Sequence, residues 1–406
     1  MSSIHQVDGH ALTLLHNSEE YFSRLIAAID SSTRSVYLET YIYAADATGR
    51  KFSDALQRAA KRGVAVRLLL DGYGSAELPQ QWIDEMLAAD IEVLWFRKEV
   101  GRFSFRRYHL RRLHRKLALV DEHIAFVSGI NIEDDVIADY EISGDEIAND
   151  GIPGAPITAP RLDYAVEVQG ETVNRINASM KRLWMLVSWT NFRRQRVHAT
   201  SMAAQGDSTK QSVIFLTRDN LRHRRDIEQA YFKAIAAAQQ EIIIANAYFL
   251  PGFRLRRALV KAAQRGVRVV LLLQGRIEYR LQHYATLALY EQLLSAGVEI
   301  YQYHISFLHA KVAVIDSHWA TVGSSNIDPF SLLLAREANL VVNDAGFAEA
   351  LRASLMHQIE QGARPVSPSL WREYGLWARF MMFICYALIR FLTGVTGYAR
   401  RRDNVG

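Results

Sequence analysis

Apolar and polar positions along this chain change rhythm from helix-like to strand-like, and the whole score is written twice. ALQRAAKRGVAVRLLLDG from Ala55 and ALVKAAQRGVRVVLLLQG from Ala258 each begin with apolar residues at helical spacing. Each then stops at a glycine, Gly63 or Gly266, and continues as an apolar, β-branched run. The pattern predicts a short amphipathic helix, a glycine stop and a buried strand. VYLETYIY (36–43) is matched by IIIANAYF (242–249), again strand-like, and EMLAADIEVLWF (85–96) by QLLSAGVEIYQY (292–303), helix then strand. Helix–strand alternation repeated in this way predicts two α/β lobes related by a pseudo-two-fold. Each should hold a mixed, mostly parallel sheet flanked by helices.

The repeat also suggests boundaries: a first lobe over 1–197, a polar linker over 198–211, a second lobe over 212–370 and a separate tail over 371–406. The halves differ most at 133–160, an acidic stretch rich in Gly and Pro that the second half lacks. It reads as a surface loop or as a lid over a site.

Within the repeat lies the chemistry. RRLHRKLALVDEHIAFVSGIN (111–131) and SFLHAKVAVIDSHWATVGSSN (306–326) carry the same polar residues at the same spacing. These are His114, Lys116, Asp121 and Asn131 in one, and His309, Lys311, Asp316 and Asn326 in the other. A chance match to His-x-Lys-x4-Asp is expected about 0.03 times in a chain of this length, so two equivalent copies are not accidental. Strand alternation puts His and Lys, two apart, on one face. If two-fold related copies meet, two imidazoles and two ammonium groups surround one anion. That set suits phosphoryl chemistry without a metal or other cofactor: one imidazole attacks phosphorus while the other protonates the leaving oxygen.

Composition narrows the setting. Half the residues are hydrophobic and 22% charged, with a net charge of +5, which reads as a globular chain with anionic partners. The single cysteine, Cys385, excludes an internal disulfide framework and points to a reducing compartment. The N-terminus has no signal-peptide pattern. The longest uninterrupted apolar run, Phe380 to Ile389, is far short of the ~20 residues that a membrane span needs.

The paired HxKxxxxD motifs, followed by SGIN and GSSN, resemble the phospholipase D superfamily over nearly the whole chain. LETYIY, LLLDGYGS, IANAYFLPG and HWATVGSSNIDPFSLLLAREANLVV are most similar to bacterial cardiolipin synthases of the shorter kind, without N-terminal spanning helices. The resemblance implies phosphatidyl transfer from one phosphatidylglycerol to another through a covalent phosphatidyl-histidine. It implies that one of His114 and His309 is the nucleophile and the other the acid/base, His114 being the expected nucleophile, with Lys116, Lys311, Asn131, Asn326 and Ser324 around the phosphate. Asp163 and Glu337 stand where the family places the carboxylates that orient each His. Asp121 and Asp316 complete the catalytic motifs, and bracing those motifs is their expected task. Two departures stand out: Ser128-Gly129 in the first motif, and RIEYRLQ (276–282) in place of a Pro-flanked acidic turn, the latter bearing on acceptor choice. A phospholipase D-type or nuclease-type hydrolase would use the same residues.

Two further segments favour lipid as the partner, with no nucleic acid expected. From Arg97 to Lys116 there are nine Lys/Arg and one Glu, enough to attract an anionic leaflet. In the tail, Arg372, Arg379 and Arg390 fall on one helical face among Trp371, Trp377, Phe380, Phe383 and Phe391. That predicts a helix lying in the membrane interface with its basic face toward the headgroups, the alternatives being a helix that caps the core or an oligomer interface, or a genuine span. The expected location is the cytoplasmic face of a bacterial membrane, held peripherally.

Overall fold

Strands of the repeated blocks are apolar along their whole length because both sheet faces are covered. The computed structural model describes residues 3–98, 111–135, 159–191, 211–219, 223–329, 331, 335–367, 369 and 374–397. The first lobe opens with β1 (Ile4–Val7), β2 (His10–His16), α1 (Asn17–Ser31), β3 (Ser35–Thr40) and α2 (Ala47–Lys61). It continues with β4 (Ala65–Asp71), α3 (Gln80–Ala88), β5 (Glu92–Phe96), β6 (Lys116–Val120), β7 (Ile124–Ser128), β8 (Tyr164–Gln169) and α4 (Thr172–Asn191). The second lobe holds β9 (Val213–Arg218), α5 (Asp226–Ala237), β10 (Glu241–Asn246), α6 (Phe253–Gln264), β11 (Arg268–Gln274), α7 (Arg280–Leu287) and α8 (Tyr290–Ser295). After these come β12 (Glu299–Tyr303), β13 (Lys311–Ile315), β14 (Trp319–Gly323), β15 (Glu337–Asn343), α9 (Ala345–Gly362), β16 (Ala363–Pro365) and α10 (Leu376–Gly397).

Two eight-stranded mixed sheets result, ordered β1-β2-β8-β7-β6-β3-β4-β5 and β16-β12-β11-β10-β13-β14-β15-β9. Read in opposite directions they superpose motif on motif, β6 with β13 and β3 with β10, as the repeat predicts. The expected parallel majority needs correction. Among the described strands, only β3-β4-β5 and β10-β11-β12 pair in parallel. The catalytic-motif strands enter hairpins, β6-β7 and β13-β14, and a short turn joins only antiparallel neighbours.

Those turns explain the motif aspartates. Asp121 and Asp316 adopt positive φ, 51° and 52°, a conformation that Asp tolerates better than most residues. Asp121 accepts from the backbone N–H groups of Thr33, Arg34 and Ser35 at 2.7–2.9 Å. Asp316 does the same with Gln239, Gln240 and Glu241 at 2.8–2.9 Å. Each stands at the far end of a five-residue strand from its lysine, roughly 17 Å along the chain. They complete the catalytic motifs as braces rather than as reacting groups, each pinning a hairpin to the start of the neighbouring strand.

The two sheets face each other across α4 and α9. Leu117, Val127 and Val166 from one side and Val312, Val322 and Leu340 from the other share a single core with Leu183 and Leu355. At about 1.5–3 kcal/mol for each fully buried aliphatic side chain, this layer holds the lobes in fixed register. Two separate outer cores lie beneath the remaining helices.

Helix α10 packs a narrow stripe, Met382, Cys385, Tyr386 and Ile389, on the outer core of the second lobe and against α7. Its outward face is apolar: Leu376, Trp377, Phe380, Met381, Phe383, Ile384, Leu388 and Phe391 are all exposed. Arg379 and Arg390 are half-buried at the margin of the packed stripe, and Arg379 donates to the Tyr374 carbonyl. The expectation of an outward basic face is thus reversed, because the packing stripe takes up the arginine side of the helix. Among the described residues, no helix is long and apolar enough to cross a membrane. Trp371, Arg372 and Arg400 to Arg402, and most of the basic stretch, the acidic loop and the linker, lie outside the described residues.

Candidate active site at the lobe interface

Each catalytic motif reaches the interface as an extended segment stitched to the opposite lobe. The His114 N–H donates to the Arg336 carbonyl at 2.9 Å, and the Arg336 N–H to Arg112 at 2.8 Å. In the other copy the His309 N–H donates to Leu162 and the Leu162 N–H to Phe307, both at 2.9 Å. Arg336 and Leu162 immediately precede Glu337 and Asp163. The carboxylates are therefore delivered across the interface. Nδ1 of His114 lies 3.0 Å from Glu337, and Nδ1 of His309 lies 2.7 Å from Asp163. Each catalytic imidazole is held by the partner lobe's carboxylate, and neither finds its carboxylate within its own lobe.

A carboxylate at Nδ1 accepts a hydrogen bond from that nitrogen's N–H, which leaves Nε2 as the reactive nitrogen. Lys311 Nζ also lies 2.7 Å from Nδ1 of His309. One nitrogen cannot donate to Asp163 and accept from Lys311 at once; the carboxylate, an acceptor only, takes the N–H. The ammonium then rests on the His309 carbonyl and, at 3.4 Å, on Asp163. Lys116 donates to the His114 carbonyl at 2.9 Å and lies 5.5 Å from the centre of the Tyr41 ring.

Burial governs the electrostatics. It brings Lys116 down to about 7, with Lys311 as the next contributor. Lys311 is lowered by burial too, although Asp163 opposes the shift. Burial lowers His114, and Glu337 resists. His309 falls well below the ordinary imidazole value, through burial and then Lys311 and Lys116. Asp163 is raised by burial against the pull of Lys311. Two cations and two carboxylates thus share a poorly hydrated space, and an added anion would favour the charged lysines.

The remaining expected residues divide. Asn326 is buried, and its Oδ1 has no hydrogen-bond partner. Asn131 is buried in the matching place and donates to Glu133 at 3.0 Å. Ser324 was expected at the phosphate, but its hydroxyl donates to Glu337 at 2.6 Å and accepts from Ala338 N–H at 3.1 Å. It braces a carboxylate instead. Its counterpart by motif alignment is Gly129, where a Cβ would stand 2.5 Å from Asp163 Oδ1. Gly129 is therefore a steric requirement of Asp163, which leaves the Ser128 half of the departure without a structural account.

Sequence reasoning missed the residues that hold the segments carrying the histidines. Asp71 accepts from Leu113 N–H at 2.7 Å, and Gln274 accepts from Leu308 N–H at 3.0 Å. Both close the LLLDG and LLLQG runs, so the repeat contained the signal. Tyr41, with its ring 5.0 Å from that of His114, and Arg161, paired with Glu133 at 2.6 Å, carried no such mark.

Known proteins resemble this chain throughout. A family model described as "Cardiolipin synthase, PLD-like domain" matches residues 25–141 and 231–359. Cardiolipin synthase B of Salmonella typhimurium is 35% identical over 391 residues, covering 96% of this chain and 90% of the relative. Cardiolipin synthase B of Escherichia coli is 34% identical over 400 residues with the same coverage. Among solved structures, phosphatidylserine synthase of Haemophilus influenzae shares the fold, with a TM-score of 0.65 at 13% identity over 95% of this chain and 94% of that one.

Proposed function

The chain belongs to the phospholipase D-like cardiolipin synthase family, and we propose that it joins two phosphatidylglycerol molecules into cardiolipin, releasing glycerol. In the first step Nε2 of His114 attacks the phosphorus of the donor lipid. The bond from phosphorus to the glycerol headgroup breaks, and His309 gives its proton to the departing oxygen. In the second step the headgroup hydroxyl of another phosphatidylglycerol loses its proton to His309 and attacks. The phosphorus–nitrogen bond breaks and His114 is restored.

The cross-lobe His–carboxylate pairing carries this reading. It supports one site with two imidazoles whose surroundings differ, which is what nucleophile and acid require. Burial lowers both rings, so His309 acts as the acid in its charged form, which the incoming phosphate anion favours. Lys116 and Lys311, with Asn131 and Asn326, hold the phosphate oxygens. Asp163 and Glu337 fix the ring tautomers and stabilise whichever imidazolium forms.

The test is purified protein with phosphatidylglycerol in mixed micelles, with products followed by mass spectrometry. Cardiolipin plus free glycerol is expected; phosphatidic acid alone would make the protein a hydrolase. In His309→Ala, a slow-turnover intermediate should leave a phosphatidyl adduct on the peptide containing His114. An adduct on another residue would overturn the assignment.

Membrane binding fits the same reading. The apolar face of α10 enters the headgroup–acyl boundary, on the cytoplasmic side of the membrane, with Arg379 and Arg390 at its margin. Phe380→Glu with Phe391→Glu should reduce co-sedimentation with phosphatidylglycerol vesicles severalfold; unchanged sedimentation would exclude α10 as the anchor.

A further inference from the structure

The two lobes differ in one feature that the phosphate chemistry leaves unused. In the first lobe the side chain of Asp71 is fully engaged: Oδ1 accepts from Tyr73 and Gly74 N–H at 2.9 and 3.1 Å, and Oδ2 from Leu113 N–H. Its counterpart, Gln274, uses one pole only. Oε1 accepts from Leu308 N–H, which fixes the amide orientation, and the buried Nε2 has no partner. Gln274 lines a cleft that also receives Tyr248, Glu278, Tyr279 and Gln282. There Gln282 Oε1 is a second buried polar atom without a partner. Burying such groups unpaired is unfavourable, and two in one cleft call for a ligand that satisfies both.

The chemistry of that ligand follows from the lining. Nε2 of Gln274 donates, while Oε1 of Gln282 and the Glu278 carboxylate accept. Tyr248 donates its hydroxyl to Glu278 at 2.6 Å, and its ring meets Tyr279 edge-on at 5.8 Å. A hydroxyl accepts one hydrogen bond and donates another, so neighbouring hydroxyls on a short carbon chain match this donor–acceptor set. The Glu278 carboxylate disfavours phosphate, and Arg276, which also lines the cleft, spends its Nε–H on the His304 carbonyl at 2.7 Å. The cleft adjoins the acid/base: the Gln274 amide that faces it also holds Leu308, one residue before His309. The Glu278 charge reaches Lys311, where it opposes the lowering that burial imposes.

We propose that this cleft is the alcohol subsite, which binds the glycerol headgroup of the leaving group and then of the acceptor lipid beside His309. The proposal rests on the transferase reading and adds to it the residues that select the alcohol. It also gives a task to RIEYRLQ, the segment that departs from the expected turn and supplies Glu278, Tyr279 and Gln282.

The experiment is partitioning of one phosphatidyl-enzyme between two alcohols. Wild type and the variants Gln282→Leu, Glu278→Gln and Gln274→Glu are given phosphatidylglycerol with ethanol, and the ratio of cardiolipin to phosphatidylethanol is measured. A ratio within one sample is independent of how much enzyme is folded. Gln274→Glu keeps an acceptor for Leu308 N–H and removes only the donor to the cleft. Each variant should lower the ratio by about tenfold, the effect of one lost hydrogen bond to a bound hydroxyl. Ratios within twofold of wild type in all three would overturn the subsite while leaving the transferase reading intact. Failure of wild type to form either product would overturn both.

Discussion

The two lobes set a common backbone against divergent side chains. In both, the motif histidine is stitched to the opposite lobe by 2.9 Å backbone hydrogen bonds, and the motif aspartate pins its hairpin through three N–H groups. Around that frame the polar residues differ. Glu337 with Ser324 faces His114; Asp163, which needs Gly129, faces His309. Asp71 is saturated where Gln274 keeps a free donor. The lesson concerns how a duplicated unit acquires two roles. Backbone register is shared because moving it would misplace both imidazoles, whereas substitutions one atom longer or one charge different alter a single imidazole without disturbing its twin.

The comparison breaks most completely at the histidines. His114→Ala and His309→Ala should each lower turnover by at least about 10⁴-fold, because groups acting as a unit lose nearly everything together. Near-full activity in either variant would mean that the lobes work separately. Next come the carboxylates. Glu337→Gln and Asp163→Asn should each cost about 10²- to 10⁴-fold in kcat through a misassigned tautomer. In the His309→Ala background the adduct on His114 should vanish with Glu337→Gln and persist with Asp163→Asn; the reverse would refute the cross-lobe pairing. The smallest effect is electrostatic. Lys116 is protonated below about 7 and neutral above it, so phosphate binding should weaken as pH rises through that value. The alkaline limb of kcat/KM should therefore lie near neutrality and move upward in Lys116→Arg, whose charge persists. A limb that does not move would assign the titration elsewhere.

Much of this was legible along the chain. Helix–glycine–strand blocks, the doubled motif and the equal His-to-Asn spacing announced two α/β lobes and one shared site. The same pattern misled about pairing direction, since helix-linked strands are easy to see and the hairpins after Val120 and Ile315 are marked only by Asp-Glu and Asp-Ser turns. It misled about α10 as well. Arginine spacing places three residues on one face without saying whether that face meets solvent or protein.

By itself the sequence determined what near neighbours dictate: periodicity, turns, and which residues share a strand face. Tertiary structure alone decided that His114 would be held by Glu337, 223 residues away, and His309 by Asp163, 146 residues away. It also decided that Ser324 would serve a carboxylate and that Gln274 would turn a spare donor into a cleft. The reason is physical: local patterns follow from fixed backbone geometry, whereas partners across an interface are chosen by how two buried sheet faces pack, and no spacing within one lobe encodes that choice.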